Sequence, residues 1–268
     1  LRASSCASWL GSRVYLRNHP LLKKFKADLH IHSCLSPCSD WDMSPKNIIE
    51  KSLERQLDLI AICDHNTAEN AAATSREGAR QGIVVLPGME ICSREEVHIV
   101  TLFKNIEDAL KMQEYIYDHL PGKNQPEVFG HQVVADEHDQ VLGENARLLI
   151  GATRLSLHDI VVKAHHLNAV CISSHVDRPS YSLIGQLGFI PEDLHLDAVE
   201  VSYRIPLDKA LSEVPGIKGY PCVTASDAHF LRDIGKVWTE FLLAAPTLEE
   251  VHMALAGAEG RRIVTDNE

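Results

Sequence analysis

The sequence predicts an α/β fold in which a largely parallel sheet closes into a barrel. Three observations carry that expectation. Apolar runs of five to eight residues, rich in Val and Ile, alternate with longer amphipathic stretches, which is the pattern of βαβ units. Seven or eight such runs fall in one chain of 268 residues, a number that suits a closed barrel within a single large domain. His and acidic residues recur at the ends of the runs, mostly the C-terminal ends, and a parallel barrel gathers those ends on one face.

The first run is 27–32 (ADLHIH), after which Ser44 and Pro45 supply a cap and a first-turn proline for a helix over NIIEKSLERQ. The second run, 58–63 (DLIAIC), leads to Thr67, which opens a helix over AENAAATSREGARQ that Gly82 closes. Runs 83–87 (IVVLP) and 97–103 (VHIVTLF) give the third and fourth strands. Ser156 then precedes a helix over LHDIVVKAHHL, followed by runs 169–173 (AVCIS), 197–202 (DAVEVS), 221–225 (PCVTA) and 237–243 (VWTEFLL). A last helix, LEEVHMALA, follows Thr247.

Residues 104–154 interrupt this rhythm with a helical segment, the loop PGKNQPEVFG and a short hairpin over VVADEHDQVLGE. An insertion of this kind is either a structural elaboration or a cap over the barrel mouth that helps to choose substrate. Residues 1–25 form an N-terminal extension in which Arg2, Arg13 and Arg17 break every apolar stretch, so no secretory signal is expected.

Composition narrows the function. Hydrophobic residues make up 45% and charged residues 24%, which excludes disordered and fibrous classes. A net charge of -11 argues against membrane association and against stable binding of duplex nucleic acid. No apolar run approaches the ~18 residues of a membrane-spanning helix. The seven cysteines are an odd number, several of them inside apolar runs, which fits a reduced, cytoplasmic protein. Histidine stands out, because 15 His exceed the 6 Phe and 6 Tyr together.

Those histidines fall in a pattern. Asp28, His30 and His32 alternate along the first run and so share a face. The second run ends in Asp64-His65, the third leads into Gly88-Met89-Glu90, and the fourth contains His98. Two later runs end at His175 and at Asp227-Ala228-His229. A single strand histidine is ordinarily a satisfied core residue, and an acid after a strand often caps the next helix, as Asp64 could. Chance gives no reason for six strands to repeat the choice. These N and O donors suit Zn, Mn or Fe, and they exceed what one ion can use, so two to three divalent metal ions are expected.

The motifs DLHIHS, CDHN, GME, VHIV, SSHVDRP and ASDAH occur in the order and approximate spacing of the PHP family, named for polymerase-associated and histidinol phosphatase domains. The chain resembles that family over roughly residues 26–244. The resemblance implies a distorted (β/α)7 TIM-like barrel with a trinuclear metal site, in a domain taken to span 26–268 with 104–154 as its insertion. Carried over by position, it implies that His30 and His32 hold one metal with Glu90 and Asp227. Glu90 would also bridge to a second metal held by His98 and His175, and His65 and His229 would hold a third. The sequence departs from the family at the ninth ligand. Five and six residues after the paired histidines stand Pro37 and Cys38, where an Asp or His is usual. Counting back from Pro45 makes Asp40 the match, with Cys38 its rival and a Cys34–Cys38 disulfide or zinc clip a further alternative. Asp28 is read as an acid near the catalytic centre that orients a ligand histidine. Arg178 matches an arginine that grips the substrate phosphate, the alternative being a solvated loop charge. Asn66 is a fainter substrate-binding candidate or a helix cap, and His165 and His166, inside a helix, are placed outside the site.

In activity, the resemblance implies a phosphoric monoester hydrolase acting on a small phosphorylated metabolite. A hydroxide bridging two metals would attack phosphorus in line while Arg178 takes up phosphoryl charge. A nucleotide is the expected substrate, either a nucleoside 3′,5′-bisphosphate or an AMP-like compound, because the insertion resembles that of nucleotide-directed members. The rivals are an exonuclease on short oligonucleotides, a histidinol-phosphate phosphatase, and a metal-bearing but inactive regulatory domain.

Overall fold

The chain begins its fold with β1 (Lys23–Ile31), α1 (Pro45–Glu54), β2 (Leu59–Ile62), α2 (Ala71–Gln81), β3 (Val84–Cys92) and β4 (His98–Leu102). The inserted region holds α3 (Ile106–His119), the short α4 (Pro126–Phe129) and the hairpin β5 (Val133–Ala135) and β6 (Val141–Glu144). Then come α5 (Leu157–His166), β7 (Val170–Ser173), α6 (Leu183–Leu187), β8 (Ala198–Val201), α7 (Leu207–Glu213) and β9 (Cys222–Thr224). The chain closes with β10 (Thr239–Leu243), α8 (Leu248–Leu255) and β11 (Arg262–Ile263). This computed structural model describes residues 21–264, so most of the expected 1–25 extension lies outside the described residues, and Lys23 to Phe25 already belong to β1.

The main sheet runs in the order β11-β10-β1-β2-β3-β4-β7-β8-β9. A bridge between Ile31 and Ala228, just past β9, brings its two sides together, so β1, β2, β3, β4, β7, β8 and β9 form a nearly closed seven-stranded barrel. β10 and β11 extend it along the first half of β1. The orientation departs from the parallel expectation. β4 runs antiparallel to both β3 and β7, and β10 antiparallel to β1. The reason lies in the link between β3 and β4, where Ser93 and Val97 pair across a tight turn. So short a connection cannot carry a crossover helix and returns the chain as a hairpin.

The strands are buried on both faces and read as unbroken apolar runs, LIAI in β2 being one case. Their alternation divides the core in two. Leu59 and Ala61 pack with Val100, Ile172 and the apolar face of α8, whereas Ile60 and Ile62 pack with Ile48, Met112 and Ile160 of the surrounding helices. Helix starts follow the capping residues. Ser44, Ser156 and Thr247 each accept a backbone N–H of the first turn, and Ser156 completes a capping box with Asp159. α2 is closed by Gly82 in the left-handed region, as expected, but it starts at Ala71 rather than at Thr67, whose hydroxyl is engaged with Gln113 and Tyr117 instead.

Of the insertion, α3 buries Ala109, Met112 and Ile116 in the outer core, and the expected hairpin forms as β5 and β6. Among the described residues, only Ile150 of 104–154 lines the cavity at the barrel mouth. The hairpin instead buttresses the loop after β1, where Val133 N–H donates to the Cys34 carbonyl. No helix among the described residues is long and apolar enough to cross a membrane.

Candidate metal centre

β1 delivers His30 and His32 at its end, and there the pairing with β2 shifts register between Asp28 and Ile31. Irregularities of this kind re-aim side chains, and the expected common face of Asp28, His30 and His32 is broken here. Asp28 turns away and accepts the backbone N–H groups of Ser226 and Gly235 at 2.9 Å each, so it braces the loop that carries Asp227 and orients no histidine. Burial pushes its carboxyl up to about 6 despite those two donors.

His30 and His32 point their Nε2 atoms at each other across 3.1 Å. Their outer nitrogens are occupied. His30 Nδ1 lies 2.8 Å from Glu200, and His32 Nδ1 lies 2.9 Å from the Ser36 hydroxyl, which itself donates to Asp64. Burial would lower His30, but Glu200, Glu90 and Asp227 raise it well above its ordinary value, so a positive charge is favoured at this place. Burial, and after it His229 and His65, pushes His32 well down. The short approach of the two Nε2 atoms is satisfied by a cation shared between them, a proton or a metal ion.

Glu90, at the middle of β3, is the hub of the cluster. Its Oε1 lies 3.0 Å from His98, 3.3 Å from His175 and 3.5 Å from His30. Its Oε2 lies 3.2 Å from His65 and 3.6 Å from His32. Burial favours the neutral acid, but His98 and His30 hold it well below the usual carboxylate range. Asp227 Oδ1 sits 3.2 Å from His32 and 3.5 Å from His30, and the ring of His229 stacks on that of His32 at 4.1 Å. Three sets of donor atoms converge closely enough to hold an ion: His30, His32 and Asp227; His65, Glu90 and His98; His32, His65 and His229. Buried atoms within these sets lack hydrogen-bond partners, namely Glu90 Oε1, His98 Nδ1 and Asp227 Oδ1. Orphaned lone pairs aimed at one another, in a set of N and O donors, fit divalent metal ions.

Eight of the nine expected ligands therefore meet: His30, His32, His65, Glu90, His98, His175, Asp227 and His229. Asp40 does not. Its carboxylate closes a turn on the N–H of Asp42, because the tight turns from Ser33 to Ser39 bring the loop round two residues earlier. Cys38 takes the place, with its thiol against His65 and His229 although the residue as a whole is exposed. Burial would raise that thiol, but the two histidines bring it down to about 6. Cys34 and Cys38 are both free, and Cys34 instead faces the Val133 carbonyl.

Two further expectations change. Asn66 is buried and fully engaged, donating to the carbonyls of Leu149 and Gly151 and accepting from Cys92 N–H. It is neither a cap nor a substrate contact but a tie between the barrel and the end of the insertion. Arg178 is no solvated charge: its Nη1 lies 2.6 Å from Asp227 Oδ2 and its Nε is buried without a partner. Asp64, expected as a helix cap or part of the site, holds the Ser33 and Ser36 hydroxyls. His165 lies outside the site, paired with Asp197. Glu200, absent from the expected set, grips His30 from behind and accepts His175 N–H. Its signal was an acid inside the strand DAVEVS, where both neighbours are apolar.

Above the cluster lies a cavity of about 330 Å³, with His65, Glu90, His98 and His175 at its floor and Arg178, Tyr181 and Arg204 along its sides.

Comparison with known proteins adds the family. A model described as the PHP domain matches residues 28–186, and one described as PHP-associated matches residues 217–258. The 5′-3′ exoribonuclease Rnm of Escherichia coli is 28% identical over 174 residues, covering 61% of this chain and 56% of that protein. The 3′,5′-nucleoside bisphosphate phosphatase of Chromobacterium violaceum is 36% identical over 78 residues, 28% of this chain and 26% of that one. The match thus spans 56% of the first of these relatives and 26% of the second. Among solved structures, the lesion-specific endonuclease Q of Pyrococcus furiosus shares the fold with a TM-score of 0.64 at 19% identity, over 90% of this chain and 58% of that one. Endonuclease Q is also known in complex with a 27-mer duplex carrying an abasic lesion. The expectation against duplex binding, drawn from net charge, therefore gains no support from the fold.

Proposed function

Because this chain belongs to the PHP family, we propose that it is a metal-dependent phosphoesterase that hydrolyses a phosphomonoester of a small molecule, a nucleoside 3′,5′-bisphosphate or an AMP-like nucleotide. The observation that carries the reading is the convergence of histidine nitrogens and two carboxylates beneath an open cavity. In this reading His30, His32, Asp227 and Glu90 would hold one ion, Glu90, His98 and His175 would hold a second, and His65, His229 and Cys38 would hold a third. Zn, Mn or Fe suits the nitrogen and oxygen donors, and a thiolate at Cys38 favours Zn or Fe at its position. Divalent ions supply Lewis acidity toward a phosphoryl oxygen and a water acidic enough to attack at neutral pH.

The chain's own groups do the rest. Glu200 fixes the tautomer and direction of His30, and Ser36 does the same for His32. Asp28 holds the backbone on which Asp227 is mounted. Arg178, already beside Asp227, offers its remaining N–H groups to an anion in the cavity, so it both steadies a ligand and receives a phosphoryl oxygen. The free thiols suit a reduced, cytoplasmic setting.

A second reading, a 5′-3′ exonuclease on short RNA, has support in the E. coli exoribonuclease, which matches the larger share of this chain. The deciding experiment assays metal-loaded protein on a panel of phosphomonoesters beside end-labelled oligonucleotides. Release of phosphate from nucleotides without oligonucleotide shortening is expected. Stepwise shortening from the 5′ end would move the assignment to the second reading, and inactivity on both would overturn the enzyme reading.

A further inference from the structure

Two side chains of the cavity have no role in the proposed hydrolysis, and their placement is specific. Tyr181 stacks on His98 with ring centroids 4.8 Å apart and remains 47% exposed. Its backbone sits at φ 57°, a left-handed conformation that a bulky residue rarely adopts. The strained residue is locked there, because its carbonyl accepts His98 N–H at 2.9 Å. One ring face is thus fixed against the metal floor while the rest of the ring is left to the cavity.

Arg204 lies on the same cavity, exposed, with no carboxylate paired to its guanidinium among the described residues. Its backbone is held, since Arg204 N–H donates to the Ser202 hydroxyl, which donates in turn to Asp177 at 2.6 Å. Asp177 also accepts Ser202 N–H and is the neighbour of Arg178. One carboxylate therefore ties the loop bearing Arg178 and Tyr181 to the loop bearing Arg204. The result is one side of the cavity that carries Arg178, paired with Asp227, a second arginine held by its backbone and free of a carboxylate partner among the described residues, and an aromatic face.

We infer that this wall selects a nucleotide carrying a phosphate additional to the one hydrolysed, with Arg204 receiving the second phosphate and Tyr181 stacking on the base. The inference rests on the proposed phosphoesterase activity and decides between its two nucleotide classes in favour of the bisphosphate. The chemistry suits each group. An unpaired guanidinium makes two-pronged contacts with phosphate, and an exposed aromatic accepts the flat face of any base.

The test is equilibrium binding by calorimetry to metal-loaded protein, using non-hydrolysable phosphonate analogues of adenosine 3′,5′-bisphosphate and of 5′-AMP, with metal content measured in parallel. Wild-type protein is expected to bind the bisphosphate analogue about ten- to a hundred-fold more tightly than the AMP analogue. Arg204→Ala should erase most of that ratio and Arg204→Lys should restore part of it. Tyr181→Phe should keep the affinity for both analogues, and Tyr181→Ser should weaken both about ten-fold at unchanged metal content. A wild-type ratio near one, or a ratio that survives Arg204→Ala, overturns the inference. Hydrolysis of p-nitrophenyl phosphate by the wild-type protein separately reports the underlying activity, so failure of one reading is distinguishable from failure of the other.

Discussion

Glu200 is the residue whose removal most directly tests the metal cluster without touching a ligand. Its Oε2 takes the outer nitrogen of His30 and its Oε1 takes the backbone of His175, so it orients two candidate ligands at once. Glu200→Gln should lower metal affinity by roughly ten- to a hundred-fold, the usual effect of losing such a partner. Elemental analysis of purified variant and wild type checks this, and an unchanged metal content would remove Glu200 from the design. Cys38 offers a spectroscopic counterpart. Cobalt-substituted wild-type protein should show thiolate-to-cobalt absorption in the near ultraviolet, and Cys38→Ser should abolish that band and about one equivalent of bound metal. Retention of the band would return the ninth position to another residue. At this scale the sequence was legible where ligands sit on strand ends, because six strands repeated the same choice of donor. It was not legible where loop geometry decides. Asp40 and Cys38 differ by two residues in a turn whose course is set by Ser33, Ser36 and Asp64. Nor did Asn66 announce its three backbone hydrogen bonds, which depend on where the insertion returns to the barrel.

The elements meet around the loop after β1, and one glycine controls that meeting. Gly130 adopts φ 100°, and a Cβ placed on it would lie 2.1 Å from the Pro37 carbonyl oxygen. The inserted segment can approach the ligand-bearing loop only without a side chain there. Gly130→Ala should therefore destabilise the fold by about 1–3 kcal/mol and weaken metal uptake at His65 and His229, since the loop must move. Thermal unfolding and metal content measured together test it. A stable variant with full metal would show that the hairpin does not set the loop. This buttressing also explains why the insertion resists reading as a lid. Its helix α3 carries ordinary amphipathic spacing and packs as a barrel helix, and only its last residues reach the cavity. The reversed direction of β4 was hidden for a related reason. The strand signal of β3 continues through Gly88-Met89-Glu90 to Cys92, so the apparent gap between two runs was mostly strand. With that extension recognised, the short remaining turn requires a hairpin.

The whole molecule holds histidines in two separate groups. Away from the cavity, His165 of α5 and His252 of α8 both face Asp197 at the start of β8, at 3.0 and 3.4 Å. The Asp197 hydrogen bond raises His165 above its ordinary value of 6.5. A histidine raised in the folded state binds its proton more tightly there. Its contribution to stability is fully present below pH 6.5 and is lost as pH rises through the raised value. His165→Gln should thus flatten the decline in melting temperature above pH 6.5, and parallel curves for variant and wild type would exclude the pair as a contributor. At the cavity, two to three divalent ions would offset roughly four to six of the chain's eleven excess negative charges. The candidate ligands come from β1, β3, β4 and from just past the ends of β2, β7 and β9, so ions held among them would cross-link most of the barrel. Binding to the folded chain alone stabilises it by about 4 kcal/mol for an ion at a thousand times its dissociation constant. In a domain of this size that corresponds to a shift on the order of 10 °C in melting temperature. Chelation should lower the calorimetric melting temperature by that order, and readdition of Zn or Mn should restore it. The two histidine sites respond to different variables, so His165→Gln should leave the chelator-induced shift unchanged. A protein purified with less than one equivalent of metal, whose melting temperature neither falls with chelator nor rises with added Zn or Mn, would show that a proton and no metal ion joins the Nε2 atoms of His30 and His32.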